Sequence, residues 1–541
     1  MKKFLSVILA AVMLFTMAVP SFAANEKIVN VYLVGYGSHL IDENGNTVWP
    51  AKSFLPAMEE MLGDLLKDLA KGMLIGDFEP YAQRLYDIIA PAYEDVKLDN
   101  NGECTDANGN EYHAYAHHIE SGFRFKNPSD VIYHTNVKFS GGIYYFDYDW
   151  RLSPEYNGKL LEKHILNVKK ATGATKVNLI GRCLGVNVIS ALLQNASDKY
   201  ISDNINKVVM YIPSTMGVEF LTALMSGKIV LDPDAIDNFV KYSMMENDVI
   251  GDALDPQLAE TLSMIVEFVN EAYILGIGTE VIEGIVEAVK ESALARIMRD
   301  NYGSFPSFWS MVDPAEVEGA INLVYNTKEL KSQYAGLFEK IRSYNENVQD
   351  NAFDRMKALS EAGLDISVVS KYNYANFPLS ADAKKQSDGT ASTTKTSFGA
   401  TTSNFGETLT KKYINSLSEE NLKYLSPDKM IDASTALFPQ KTWFMKNLEH
   451  GDFPQGVDNF INEILVYNGE MTIDTYEAYP QYLDYDYETD SLSPVTGLDD
   501  GDIIPTGNEK RIPAFIKFFT FMFNLIKKLL SGELQLGGLL G

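Results

Sequence analysis

The sequence predicts an α/β protein: a mostly parallel sheet flanked by helices, with a helical insertion. Three observations predict it, namely near-continuous apolar runs, amphipathic stretches alternating with them, and a glycine-flanked cysteine where one run meets the next helix. Strands covered by helices on both faces read as unbroken apolar runs rather than as alternating ones. Lys27 to Val34, KIVNVYLV, is such a run, and Gly35-Tyr36-Gly37-Ser38 ends it. Residues 51–97 carry helical spacing, including Leu55, Met58, Met61, Leu62, Leu65 and Leu66, and a Gly/Asn/Asp-rich loop containing Cys104 follows. A second run, Gly142 to Tyr148, leads into Asp149-Trp150-Arg151. An amphipathic helix over about 155–172 comes next, then a third strand, Lys176 to Ile180, stopped by GRCLG and continued as the helix VNVISALLQ. VVMYIP at 208–213 completes a βαβ series.

From Gly217 to about Gly363 the pattern is one of apolar helices, for example Leu258 to Tyr273 and Val281 to Met298, which predicts an inserted helical cap. Strand character returns at Ile366–Tyr372, and residues 386–404 form a Ser/Thr/Gly-rich loop. Thr442 to Leu448 then runs into Glu449-His450-Gly451-Asp452, and the helix VDNFINEILV closes the fold. The expected organisation is an export signal (1–23), a core in two parts (24–216 and 364–470) interrupted by the cap (217–363), an acidic Tyr-rich linker (471–510) and an amphipathic C-terminal helix (511–541). No internal repeat is visible.

The export signal is read from Lys2 and Lys3, the apolar run Phe4 to Val19, then Pro20 and Ser21-Phe22-Ala23, with cleavage expected after Ala23. A secreted or cell-surface bacterial protein is the expectation. The 541 residues carry 46 Lys+Arg against 73 Asp+Glu, a formal charge of −27, which argues against nucleic acid as a partner. Hydrophobic residues make up 46%, enough for a sizeable core. With only Cys104 and Cys183 there is no disulfide framework, so that core must supply the stability.

Gly181-Arg182-Cys183-Leu184-Gly185 carries the most chemical information. Glycines two residues either side of a central residue permit a cramped strand-to-helix turn that lifts a nucleophile above the sheet. A thiol is already a good nucleophile, and a neighbouring base or a helix N-terminus lowers its pKa. The competing readings of Cys183 are a small buried core residue and a disulfide with Cys104. Arg182 adds local positive charge and equally suits a salt bridge at the helix edge.

On these residues the chain resembles the α/β-hydrolase family, whose elbow usually reads G-x-S-x-G. Dienelactone hydrolases and polyhydroxyalkanoate synthases are members that use a cysteine there. LVGYGS followed by LIDENGNTVWP, and YDWRLSP at 148–154, resemble lipases related to lecithin:cholesterol acyltransferase. The resemblance covers roughly 27–215 and 363–467. It implies thioester chemistry at Cys183 and places the catalytic histidine at His450, after the last strand and before the last helix. His39, in the first loop, is the runner-up, while His113, His117, His118, His134 and His164 read as loop or helix-surface residues. The orienting carboxylate should follow the strand at 366–372. Asp388-Gly389 has that place and resembles the acid loop of bacterial lipases, with Asp428 and then Asp432 as alternatives. The family's oxyanion hole corresponds to the backbone N–H groups of Leu184 and Tyr36.

No cofactor is implied. Asp452 resembles a calcium-ligand position of some bacterial lipases, and Asp499, Asp500 and Asp502 cluster in the tail, but no metal site is assigned. DGDIIP at 500–505 mimics a hydrolase acid motif with no histidine after it. The expected activity is hydrolysis of esters or thioesters with an acyl or lipid-like substrate. The rivals are acyl transfer through the same triad and a non-catalytic cell-envelope binding protein. The apolar tail Ile512 to Leu530, with Lys517, Lys527 and Lys528, suits contact with a membrane surface. Deleting 512–541 is expected to release the protein from the membrane fraction with activity retained, as read by fractionation on sedimentation.

Overall fold

The computed structural model describes residues 27–36, 39–41, 47–49, 64, 68, 71, 77, 79–104, 115–117, 133–134, 143–230, 232–239, 294–499, 501 and 502. The export signal, the C-terminal helix, most of the helical stretch expected at 51–78 and most of the two long insert helices lie outside them. The strands of the main sheet are β1 (Ile28–Leu33), β2 (Tyr133–His134), β3 (Ile143–Tyr145), β4 (Lys176–Arg182), β5 (Ile205–Tyr211), β6 (Asp365–Tyr372), β7 (Thr442–Lys446), β8 (Tyr482–Asp486) and β9 (Ser491–Pro494). They form one nine-stranded sheet in the order β9-β8-β7-β6-β5-β4-β1-β3-β2. Every pairing from β3 across to β8 is parallel, and the two edge pairings, β2 with β3 and β8 with β9, are antiparallel.

Side chains along β1 alternate between the two faces. Val29, Val31 and Leu33 enter one core, Tyr32 and Val34 the other. Helix α1 (Glu79–Tyr93) joins the first core alongside the insert segment 295–303, while α2 (Pro154–Thr172) and α3 (Leu184–Asn195) cover the first face and α4 (Gln455–Val466) the second. Helix α2 shows why the sequence starts and stops where it does. Ser153 caps it by accepting the Tyr156 amide, Pro154 supplies a pre-set first φ, and Gly173 ends it in the left-handed region at φ 71°. The YDWRLSP segment before it is locked by Arg151, whose buried guanidinium holds Asp149 at 2.6 and 2.9 Å and the Val96 carbonyl at 2.8 Å.

Between Gly217 and Gly363 every regular element among the described residues is helical, from Glu219–Ser226 to Ala352–Glu361. Phe305, Trp309, Ile321 and Leu337 of this insert share the core that α2 and α3 form. Asn187 of α3 ties the two together by donating to the carbonyl and hydroxyl of Ser310, both at 3.0 Å. Among the described residues no helix is long and apolar enough to cross a membrane.

The structure corrects one boundary. Residues 471–510, expected as an acidic linker, supply β8 and β9, so the second part of the core runs well past 470. YLDYD in β8 lacks a continuous apolar run because this strand lies near the edge, where β9 is largely solvent-exposed. Its place is set by pairing with β7, where Met445 faces Leu483 and Lys446 faces Asp484. The fully buried Lys446 of β7 also binds Asp499 at 2.7 Å and Asp502 at 2.6 Å, with buried Asp428 at 3.8 Å. The acidic 499–502 turn is therefore an ion-pair strap for this edge.

Removing Lys446 leaves two buried carboxylates, Asp428 and Asp502, without their cation. Lys446→Met is expected to lower stability by about 3–5 kcal/mol, measured by denaturant unfolding.

Candidate active site

The chain passes from β1 to β3 on one side and then to β4 on the other, so the strand order reverses between β1 and β4. In open parallel sheets the crevice outside the carboxyl ends of strands at such a reversal is where ligands bind. Gly35-Tyr36 follows β1 and Cys183 follows β4, so both stand at that crevice. Cys183 adopts φ 50° and ψ −120°, a conformation that L-residues rarely take and that costs on the order of 1–3 kcal/mol. The turn requires backbones to touch. A methyl group on Gly185 would stand 2.8 Å from the carbonyl oxygens of Leu33 and Val34, and one on Gly35 would stand 3.0 Å from Cβ of Cys183.

Two further loops at the same sheet edge complete the arrangement. Asp388 lies after β6, His450 after β7. The His450 amide donates to the Asp388 carbonyl at 2.7 Å, and Nδ1 of the ring pairs with Asp388 Oδ2 at 2.7 Å. The other carboxylate oxygen accepts the amides of Thr390 at 3.0 Å and Ala391 at 2.8 Å, so the fully buried Asp388 is satisfied on both sides. With Nδ1 engaged, Nε2 is the nitrogen left to serve the thiol of Cys183, to which His450 is electrostatically coupled.

Burial alone would push the thiol up, but the His450 imidazole and the Leu184 amide outweigh it and bring Cys183 below the ordinary thiol range. Burial alone would pull the imidazole down, but Asp388 and Cys183 outweigh it and raise His450 to about 10. Asp388 itself is lowered, because the charge of His450 overcomes its own desolvation. All three shifts point the same way, to a thiolate–imidazolium pair backed by a carboxylate. The thiolate is therefore lost only as pH falls through the lowered thiol pKa, and the imidazolium only as pH rises through about 10.

The alternative acids are occupied elsewhere. Asp428 accepts the Tyr372 hydroxyl at 2.8 Å and faces Lys446, while Asp432 caps a short helix through the Ser434 amide and accepts the Tyr413 hydroxyl at 2.8 Å. His39 lies in a small antiparallel sheet against the strand Tyr115–His117, and its side chain is outside the described residues, as are those of His117 and His134. His113 and His118 fall outside them entirely. His164, expected on a helix surface, is instead buried on α2 against Phe146, with its ring drawn down to about 4 by desolvation. The spacing of α2 turns that position inward, and a neutral imidazole packs there like an aromatic ring. Cys104 and Cys183 are both free thiols, so the disulfide reading is overturned, and Cys104 accepts instead from Arg151 at 3.4 Å. Arg182 forms no salt bridge among the described residues; its guanidinium lies 3.4 Å from the centroid of the Phe453 ring.

The Tyr36 ring packs edge-on against Trp150 at 4.5 Å and Phe308 at 5.1 Å, and its hydroxyl meets that of Tyr93. These contacts fix the loop after β1, so Tyr36 has only its main chain to offer Cys183. Asp452 accepts the Tyr487 hydroxyl, and Asp499 and Asp502 serve Lys446. Two supporting groups escape the sequence reading. Glu219, at the start of the insert, accepts from the hydroxyl and the amide of Ser392 and so pins the acid loop, and Lys371 lies buried under the histidine loop. Neither carries a linear signal, because which loop each meets is decided across more than 70 positions of chain.

No protein-family model matches this sequence, and no curated protein matches it significantly.

The electrostatics predict how the thiol reacts. Alkylation of Cys183 by iodoacetamide, mapped by peptide mass spectrometry against pH, is expected to reach half its maximal rate below the free-thiol value of about 8.5. His450→Gln is expected to move that midpoint upward.

Proposed function

We propose that the chain is an exported α/β-hydrolase that cleaves esters or thioesters through Cys183, His450 and Asp388. The observation that carries this reading is an imidazole hydrogen-bonded to a buried carboxylate at 2.7 Å and electrostatically coupled to a thiol on a strained strand-to-helix turn. The chain order nucleophile, acid, histidine is the one α/β-hydrolases use, which further supports it. So does the position of all three groups at the carboxyl edge of one parallel sheet.

The thiolate attacks the substrate carbonyl, and the electron pair of the C=O bond moves to oxygen. The amides of Leu184 and Tyr36 are the donors for that oxyanion. Collapse breaks the bond to the leaving group, which takes the Nε2 proton of His450, and a thioester on Cys183 remains. The now neutral imidazole takes a proton from water, whose oxygen attacks the thioester. Release of the acid returns the thiolate and the imidazolium. Asp388 holds the ring in one orientation and stabilises its charged form throughout. The apolar, largely helical insert that packs against Tyr36 beside the elbow supports an acyl or lipid-like substrate, with the insert acting as its cap. The C-terminal helix would bring the enzyme to a membrane surface.

The test is turnover of a panel of p-nitrophenyl esters and acyl thioesters of increasing chain length by the mature protein. Wild type is expected to hydrolyse part of the panel, Cys183→Ala to fall to background, and Asp388→Asn to lose on the order of 10²–10⁴ in kcat. Absence of turnover with every member would overturn the reading in favour of a non-catalytic envelope protein.

A further inference from the structure

Lys371 is the penultimate residue of β6 and is completely buried, yet among the described residues no carboxylate forms an ion pair with it. Its ammonium points into the loop that follows β7. It donates to the carbonyl oxygens of Glu449 at 2.6 Å, His450 at 3.3 Å and Asp452 at 2.6 Å. Three acceptors match the three N–H groups of an ammonium. Around that head, the rings of Tyr211 and Phe453 lie with centroids at 5.0 and 4.5 Å. Phe453 also carries the Arg182 guanidinium, at 3.4 Å, so one ring receives a cation from the residue before the nucleophile and another from under the histidine. Burial draws the lysine down to about 7, and the carboxylates of Asp388 and Asp452 oppose that fall.

A helix or strand orders its own carbonyls, but a loop of the composition EHGDF does not. A surface position would suit a lysine better than the interior, so its complete burial here needs a reason. Here the lysine gathers three carbonyls of the turn and binds them to the strand that leads to Asp388. The backbone at 450 is thereby held from beneath, while the Asp388 carbonyl holds its amide from the other side.

We propose that Lys371 is a positioning residue: by clamping the 449–452 carbonyls onto β6 it fixes the His450 ring beside Cys183. The inference rests on the Cys183–His450 pairing proposed above. Lys371 acts through His450 and touches no substrate.

The experiment follows the pH dependence of Cys183 alkylation by iodoacetamide in the full mature chain, with thermal unfolding of each variant recorded alongside. Lys371→Met is expected to remain folded at the assay temperature. Its midpoint should move up toward that of His450→Gln, and alkylation at pH 6 should slow by about tenfold for every pH unit that the midpoint rises. In ester turnover it should lose kcat with KM little changed, a split that general destabilisation does not produce. Should Lys371→Met fail to fold, Phe453→Leu carries the test, since it keeps the lysine but removes the ring on which both cations lie. A smaller upward movement is then expected. A profile for the folded Lys371→Met, or failing that for Phe453→Leu, that superimposes on wild type while His450→Gln differs would overturn the role of Lys371 alone. A His450→Gln profile identical to wild type would instead overturn the pairing itself.

Discussion

A half-buried imidazole held between a buried carboxylate and a thiol is the interaction on which the rest of this structure depends. Taking ionisable groups even partly out of water is costly, and a carboxylate buried as fully as Asp388 would lose its charge alone. Together they retain it, because each charge is the main compensation for the next. The Thr390 and Ala391 amides complete the carboxylate, and the Leu184 amide favours the charged form of the sulfur. Such a line tolerates little slack, since an ångström of movement in any loop would break it.

The sheet supplies the rigidity. Parallel strands end on the same edge, so loops that are remote in sequence are neighbours in space, and β1, β4, β6 and β7 each deliver one component of the site. Backbone contact between the end of β1 and the elbow fixes the first two components relative to each other. The others are loops, and they are tied down by buried polar groups from outside themselves, Glu219 on the acid loop and Lys371 on the histidine loop. The same device recurs away from the site. Lys207, nearly fully buried, binds Asp365 at 3.1 Å and caps the end of α4 through the carbonyls of Ile464, Tyr467 and Gly469. Lys446 straps the far edge of the sheet. An acidic protein thus places several of its cations inside, where Lys371 and Lys207 gather backbone carbonyls and Lys446 gathers carboxylates.

Much of this architecture is legible in one dimension. KIVNVYLV, KVNLI and VVMYI announce buried parallel strands because both faces of each are apolar, and Ser153-Pro154 with Gly173 bracket α2 because caps and φ restrictions are local. β8 is not legible, because a near-edge strand needs no continuous apolar run and YLDYD resembles a solvated acidic stretch. His164 is misjudged for a related reason: whether a helical position faces in or out depends on what packs against it, here Phe146.

Local sequence alone determined the strained turn at Cys183, since the glycine spacing and the strand-to-helix transition are properties of five consecutive residues. It also placed Asp388 and His450 after particular strands. Only the tertiary structure decided that Asp388, and not Asp428 or Asp432, reaches the imidazole, and that Lys371 lies beneath it. Turn propensity is the same for all three aspartates, whereas pairing depends on where the sheet delivers each loop, and a side chain a few ångströms away has no voice in the linear code.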